Sequence, residues 1–161
     1  MSRYHIIQTI KSAIDGIQVY VRDEPRVIKT TDTLIDPTQE TQYPIFAIVP
    51  GPETDAVGLT GFAPLDCTLR LDMFGFVDGA MSSEQADDRK SRLAKAAEDV
   101  VRAIKKKLTD PLFLDSINCE FSITQIGPFI VEHIELEDPY AYISMPLTIV
   151  YIDDVQADTQ E

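Results

Sequence analysis

Residues 108–161 hold eleven Asp and Glu and no Lys or Arg, yet most of the stretch alternates apolar and polar residues as β-strands do. A base-free acidic block is ordinarily a solvated, disordered tail. Here Ile117, Cys119, Phe121 and Ile123 share one phase of residues 116–126, and residues 129–136 alternate after Gly127-Pro128. Tyr140 to Ile152 alternates again beyond the turn Glu137-Asp138-Pro139. The pattern predicts an acidic face on a folded sheet, with one domain over 1–152 and a flexible acidic tail over 153–161. Pro146 within the last strand predicts an edge or a bulge there.

The remainder supplies helices and further strands. Ser2 is the expected N-cap of a first helix, in which Ile6, Ile7, Ile10, Ala13, Ile14 and Ile17 form one stripe and Gly16 ends it. Residues 18–22 read as a short strand, and 23–42, interrupted by Pro25 and Pro37, as an extended polar excursion. Tyr43 to Val49 reads as a strand stopped by Pro50-Gly51-Pro52, followed by a loop over 50–64 of the length that function or a partner usually explains. Asp66 to Val77 alternates cleanly, with Cys67, Leu69, Leu71 and Met73 on the apolar phase. Ser83 is the expected cap of a long helix from about Glu84 to Leu108, with Leu93, Ala97, Val100, Val101, Ile104 and Leu108 in one stripe. Pro111 then follows its end. The order predicts an α+β fold: one mainly antiparallel sheet packed against an N-terminal helix and a long central helix.

Charge is unevenly spread within the net −13. Residues 1–83 carry 6 bases and 11 acids, whereas 84–107 carry 8 bases and 5 acids. A basic helix beside an acidic sheet in one small domain predicts packing between copies. The acidity argues against a general nucleic-acid binder or a binder of anionic membranes. No apolar run is long enough for a spanning helix, and the N-terminus lacks the basic and apolar regions of a secretion signal. Cys67 and Cys119 have no metal-type spacing, so a reduced cytosolic setting is expected.

Little in the sequence carries chemistry. His133 alternates away from Glu132 and Ile134, and His5 reads as a surface residue. Both cysteines lie on apolar phases and read as buried thiols. The carboxylates form no Ca²⁺ loop, and no phosphate-cradling or nucleophile motif occurs. Lys105, Lys106 and Lys107 read as the dipole-complementing end of a helix. No enzyme activity, cofactor or metal is expected.

Four segments nevertheless share a pattern with a known family: SRYHIIQTIKSAI, YPIFAIVPGPETD, LDCTLRLDMFGFVD with the EDVVRAIKKKL helix, and PFIVEHIELEDPYAYISMPLTIVYID. Through them the chain resembles the tail terminator (tail completion) proteins of long-tailed bacteriophages, and it departs from their shortest members in the excursion 23–42 and the acidic tail. The resemblance implies a virion protein that forms a ring, commonly a hexamer. The ring caps the tail tube, ends its polymerisation and meets the head–tail connector and neck proteins. DNA passes its channel without specific binding. On that reading the subunit interface is expected at Arg89, Arg92, Arg102, Lys105, Lys106, Glu135, Glu137 and Asp138. The loop that contacts the tube or a neighbour is expected at Pro52, Glu53, Asp55, Leu59 and Phe62. An acidic channel face is expected at Asp66, Asp72, Glu120 and Glu132, where carboxylates repel phosphates. Two other classes fit the sequence: an acidic DNA mimic that inhibits a nucleic-acid-handling enzyme, and a small hydrolase using a carboxylate pair.

Overall fold

The structure, a computed structural model, describes residues 3–21, 24–33, 35, 44–56, 65–78, 86–134 and 140–153. Helix α1 (Arg3–Ile14) buries Ile6, Ile10 and Ile14, one residue per turn on one side. Gly16 follows with φ +85°, the left-handed conformation that lets the chain reverse out of the helix. Its N–H donates to the Ile28 carbonyl, and the Ile28 N–H donates back to Ile17. The strands β1 (Gln18–Val21) and β2 (Glu24–Val27) continue this pairing as an antiparallel hairpin.

The main sheet begins with β3 (Lys29–Thr31), which runs parallel to the first residues of β4 (Ile45–Ala56). Next come β5 (Leu65–Asp78) and β8 (Tyr140–Asp153), 14 residues each and antiparallel over their full length. On the far side of β8 lie β6 (Phe121–Ile126) and β7 (Ile130–Ile134), which pair with its second and first halves respectively. The helices α2 (Ala86–Leu108) and α3 (Pro111–Ile117) complete the fold.

One face of this sheet carries the core. Leu69, Leu71 and Met73 of β5 and Ile143, Met145, Leu147 and Ile149 of β8 are fully buried against α1 and α2. From α2 come Leu93, Ala97, Val100, Val101, Ile104 and Leu108, with Ala96 added by its place on the same turn. The hairpin adds Val19 and Val21 to the same core, with β1 in contact with α2. Gly75 is required where it stands, because a Cβ there would lie 2.3 Å from the buried ring of its cross-strand partner Phe46.

Several expectations need correction. The fold is α+β, but it is not one sheet on an N-terminal and a long central helix: the described residues form three helices and two sheets, and α2 covers one face of the larger sheet. The excursion over 23–42 contains β2 and β3. Pro111 follows the end of α2 as expected, but it also opens a further helix, α3. Asp110 caps it, its carboxylate accepting from the Leu112 N–H at 2.9 Å, and proline at the first position forfeits no hydrogen bond. The strand expected over 116–126 therefore starts only at Phe121, and Cys119, expected buried, is exposed.

The prolines explain the remaining differences. β4 runs through Pro50-Gly51-Pro52 to Ala56, with a bulge between Pro50 and Glu53, so residues 50–56 are strand, not loop. Beyond Ala47 β4 has lost β3 as a neighbour, and a strand edge tolerates residues with no N–H. Pro146 lies in an interior strand, contrary to the expected edge or bulge. Its carbonyl accepts from Gly127 N–H at 2.8 Å, which points its missing N–H toward the same side, where β6 gives way to β7. The ladder is broken there already. Both β6 and β7 pair with β8. Ser2, Ser83, residues 57–64 of the expected loop and residues 154–161 of the expected tail lie outside the described residues, whereas Asp153, expected in that tail, ends β8.

Candidate functional site

The outer face of the main sheet, opposite the helices, divides into two halves. Toward one end it carries Thr54, Thr68, Arg70, Thr148 and Val150, a polar and β-branched surface. Toward the other the alternation of β5 and β8 places Phe74, Phe76 and Tyr142, all half-buried. The Tyr142 ring stacks near Phe74 with centroids 6.1 Å apart and tilts against Phe76 at 5.3 Å. Val49 and Pro146 extend the patch, and Ile130 borders it at 55% exposure.

Two carboxylates frame these rings. Glu132 on β7 is the cross-strand partner of Tyr142 and is exposed. Asp72 on β5 is half-buried and accepts from Arg70 Nε at 2.9 Å. Burial and then the negative charge of Glu132 hold the Tyr142 hydroxyl above the usual tyrosine range. Asp72 adds to the effect, and a hydrogen bond with Ser144 opposes it.

On the helix side the last turns of α2 gather cations. Arg102, Lys106 and Lys107 are exposed, while Lys105 stands over the Phe129 ring at 4.2 Å. Lys106 and Lys107 line an open groove of about 380 Å³ together with Asp15, Gly16, Gln18 and Asp110. Asp15 is occupied there, accepting from both the N–H and the hydroxyl of Thr30.

Of the expected interface residues, Arg102, Lys105 and Lys106 thus come together. Arg89 and Arg92 lie on α2, but their side chains, like Glu135, Glu137 and Asp138, are outside the described residues. Of the expected channel face, Asp72 and Glu132 share the aromatic patch and Asp66 sits on β5 opposite Ile152. Glu120 lies elsewhere: it precedes β6 and meets His5 Nε2 of α1 at 3.2 Å. Of the loop residues, Pro52 is exposed at the bulge and Asp55 belongs to β4. Leu59 and Phe62 are outside the described residues. In the register of β7 with β8, His133 is the partner of Ala141 and Glu132 that of Tyr142.

Glu53, expected in a contact loop, turns to the helix side and accepts from the buried Tyr151 hydroxyl at 2.5 Å. This bond fastens the far end of β4 to β8 across the intervening β5. Burial, the bond to Glu53 and its charge push the Tyr151 hydroxyl well above its ordinary 10.0. A folded-state value above the unfolded one contributes stability that is complete below pH 10 and is lost as pH rises beyond it. Stability should therefore fall above pH 10 by up to about 1.4 kcal/mol per pH unit from this group. Chemical unfolding of Tyr151→Phe across that range should lack this component; an unchanged slope would contradict the assignment.

The aromatic patch had a signal in the sequence. The outward phase of β5 changes from Thr68, Arg70 and Asp72 to Phe74 and Phe76, so outward residues cease to be hydrophilic within one strand. Among the described residues, no three His, Cys, Asp or Glu stand close enough to hold a metal ion, and no helix is long and apolar enough to cross a membrane. No protein-family model matches the chain, and no curated protein matches it.

Proposed function

We propose that the chain is a structural subunit of a bacteriophage tail, which assembles into a ring that caps the tail tube, ends its growth and receives the head–tail connector. The observation that carries this reading is the two-faced main sheet. One face is filled by α1 and α2, and half of the other carries Phe74, Phe76, Tyr142, Val49 and Ile130 with cations of α2 on the opposite side of the molecule. A sheet whose outer face holds clustered rings is suited to contact with another protein surface. Unlike surfaces on opposite sides of one subunit favour heterologous contacts, which close into a ring when the rotation between successive copies closes. The net charge of −13 fits a passage for DNA, because carboxylates repel phosphates and let a duplex slide. The resemblance of the sequence to tail terminators supplies the place in the tail.

Light scattering and electron microscopy of the purified chain, alone and with its tail tube protein, test the proposal. The expected result is a ring with a mass several times 18.0 kDa, seated on tube ends and stopping their growth. A chain that stays monomeric at high concentration and leaves tube length unchanged would overturn it.

A further inference from the structure

We propose that the outer sheet face around Tyr142 is the seat for Arg102 of a second copy, the guanidinium lying on the Phe74–Tyr142 rings with Glu132 as its carboxylate partner. This rests on the ring reading above and adds which surfaces meet.

The seat combines two things that an arginine side chain needs. The Phe74 and Tyr142 rings are stacked with centroids 6.1 Å apart and 14° between planes, and both are half-buried on the outer face of the sheet. A planar guanidinium stacks on an aromatic face and is attracted by its π-electrons. Glu132 is exposed beside Tyr142, and Asp72 reinforces the negative field from the other flank. Asp72 is already engaged by Arg70, so Glu132 is the carboxylate left to take an incoming cation in the fork geometry.

The complementary group lies on the opposite side of the same chain. Buried residues of α2 face the sheet, so exposed Arg102 faces away from it, whereas Tyr142 projects from the far side. No copy can place its own Arg102 on its own Tyr142 seat. Among the other cations of that end, Lys105 lies over Phe129, and Lys106 and Lys107 line the groove beside Asp15 and Asp110. Arg102 is outside that groove and has the planar head the rings require. The contact is head-to-tail, each copy giving its α2 and receiving the next.

Charge reversal tests the seat. Glu132→Arg and Arg102→Glu should each weaken self-assembly at least tenfold by light scattering, and the double variant should recover to within threefold of the wild type. Both positions are exposed, so the folded state should persist by circular dichroism. As a second readout, a Cys119→Ser chain carrying Arg102→Cys and Glu132→Cys should give a ladder of covalent multimers with a short bifunctional maleimide. Rings that persist in both single variants, or a maleimide reaction that yields monomer only from assembled protein, would overturn the seat and leave the ring reading intact. A wild-type chain that never assembles would overturn both.

Discussion

Replacing Phe46 with alanine should cost about 3–5 kcal/mol, one of the two largest losses expected from a single change in this chain. The ring is fully buried and lies across Gly75, filling the space that a side chain on β5 would otherwise take. The glycine is equally constrained. A Cβ at Gly75 would stand 2.3 Å from one ring carbon of Phe46 and 2.5 Å from two more, and a fully buried ring has nowhere to move. Gly75→Ala should therefore cost about 1–3 kcal/mol through overpacking. In the Phe46→Ala background the methyl group enters a void instead, so the second substitution should cost little. The coupling in a double-mutant cycle should be about 1–3 kcal/mol. Urea unfolding of the four proteins measures it, and losses that simply add would show that the two residues do not share the space.

Ile10→Asp should cost about 4 kcal/mol or more, through a carboxylate placed in the apolar contact that attaches α1. Ile6, Ile10 and Ile14 are all fully buried, with Ile10 the middle member. The polar tethers of α1 are weak by comparison. Lys11 donates to Asp32 at 2.9 Å, but Asp32 is 60% exposed, and solvent-screened pairs contribute under about 1 kcal/mol. Lys11→Ala should thus fall within about 1 kcal/mol of the parent in thermal unfolding, far from Ile10→Asp. Comparable losses from both would mean that the ion pair, and not the isoleucine stripe, holds the helix.

The stripes of α1 and α2 were legible because a helix repeats its contacts every turn, so Ile6, Ile10 and Ile14 declare their shared face without reference to any neighbour. The strand β5 was equally legible, Cys67, Leu69, Leu71 and Met73 all being buried as their phase requires. The role of each proline is not legible locally for one reason: its effect depends on whether the N–H it lacks would have met a partner. At Pro50 the neighbouring strand has ended, at Pro146 the ladder passes from β6 to β7, and at Pro111 the position is the first of a helix. None of these conditions is local in sequence. The candidate site was legible in part. The basic end of α2 and the carboxylates Asp72 and Glu132 stand out by charge alone, while the rings between them are spread over β5 and β8, distant in sequence.

By itself the sequence determined what periodicity and composition can carry. These are the two amphipathic helices, the alternating strands and the separation of basic from acidic segments. The tertiary structure decided the order β3-β4-β5-β8-β6, and with it everything that depends on neighbours. Placing the last strand between β5 and β6 brings Tyr142 against Phe74 and Phe76, sets Glu132 beside them and joins Tyr151 to Glu53. Alternation fixes which residues share a face of one strand, but only the pairing of strands makes those faces into a surface. Among the described residues of the base-free acidic third, Glu132 is the carboxylate that this pairing sets beside the aromatic rings of β5 and β8.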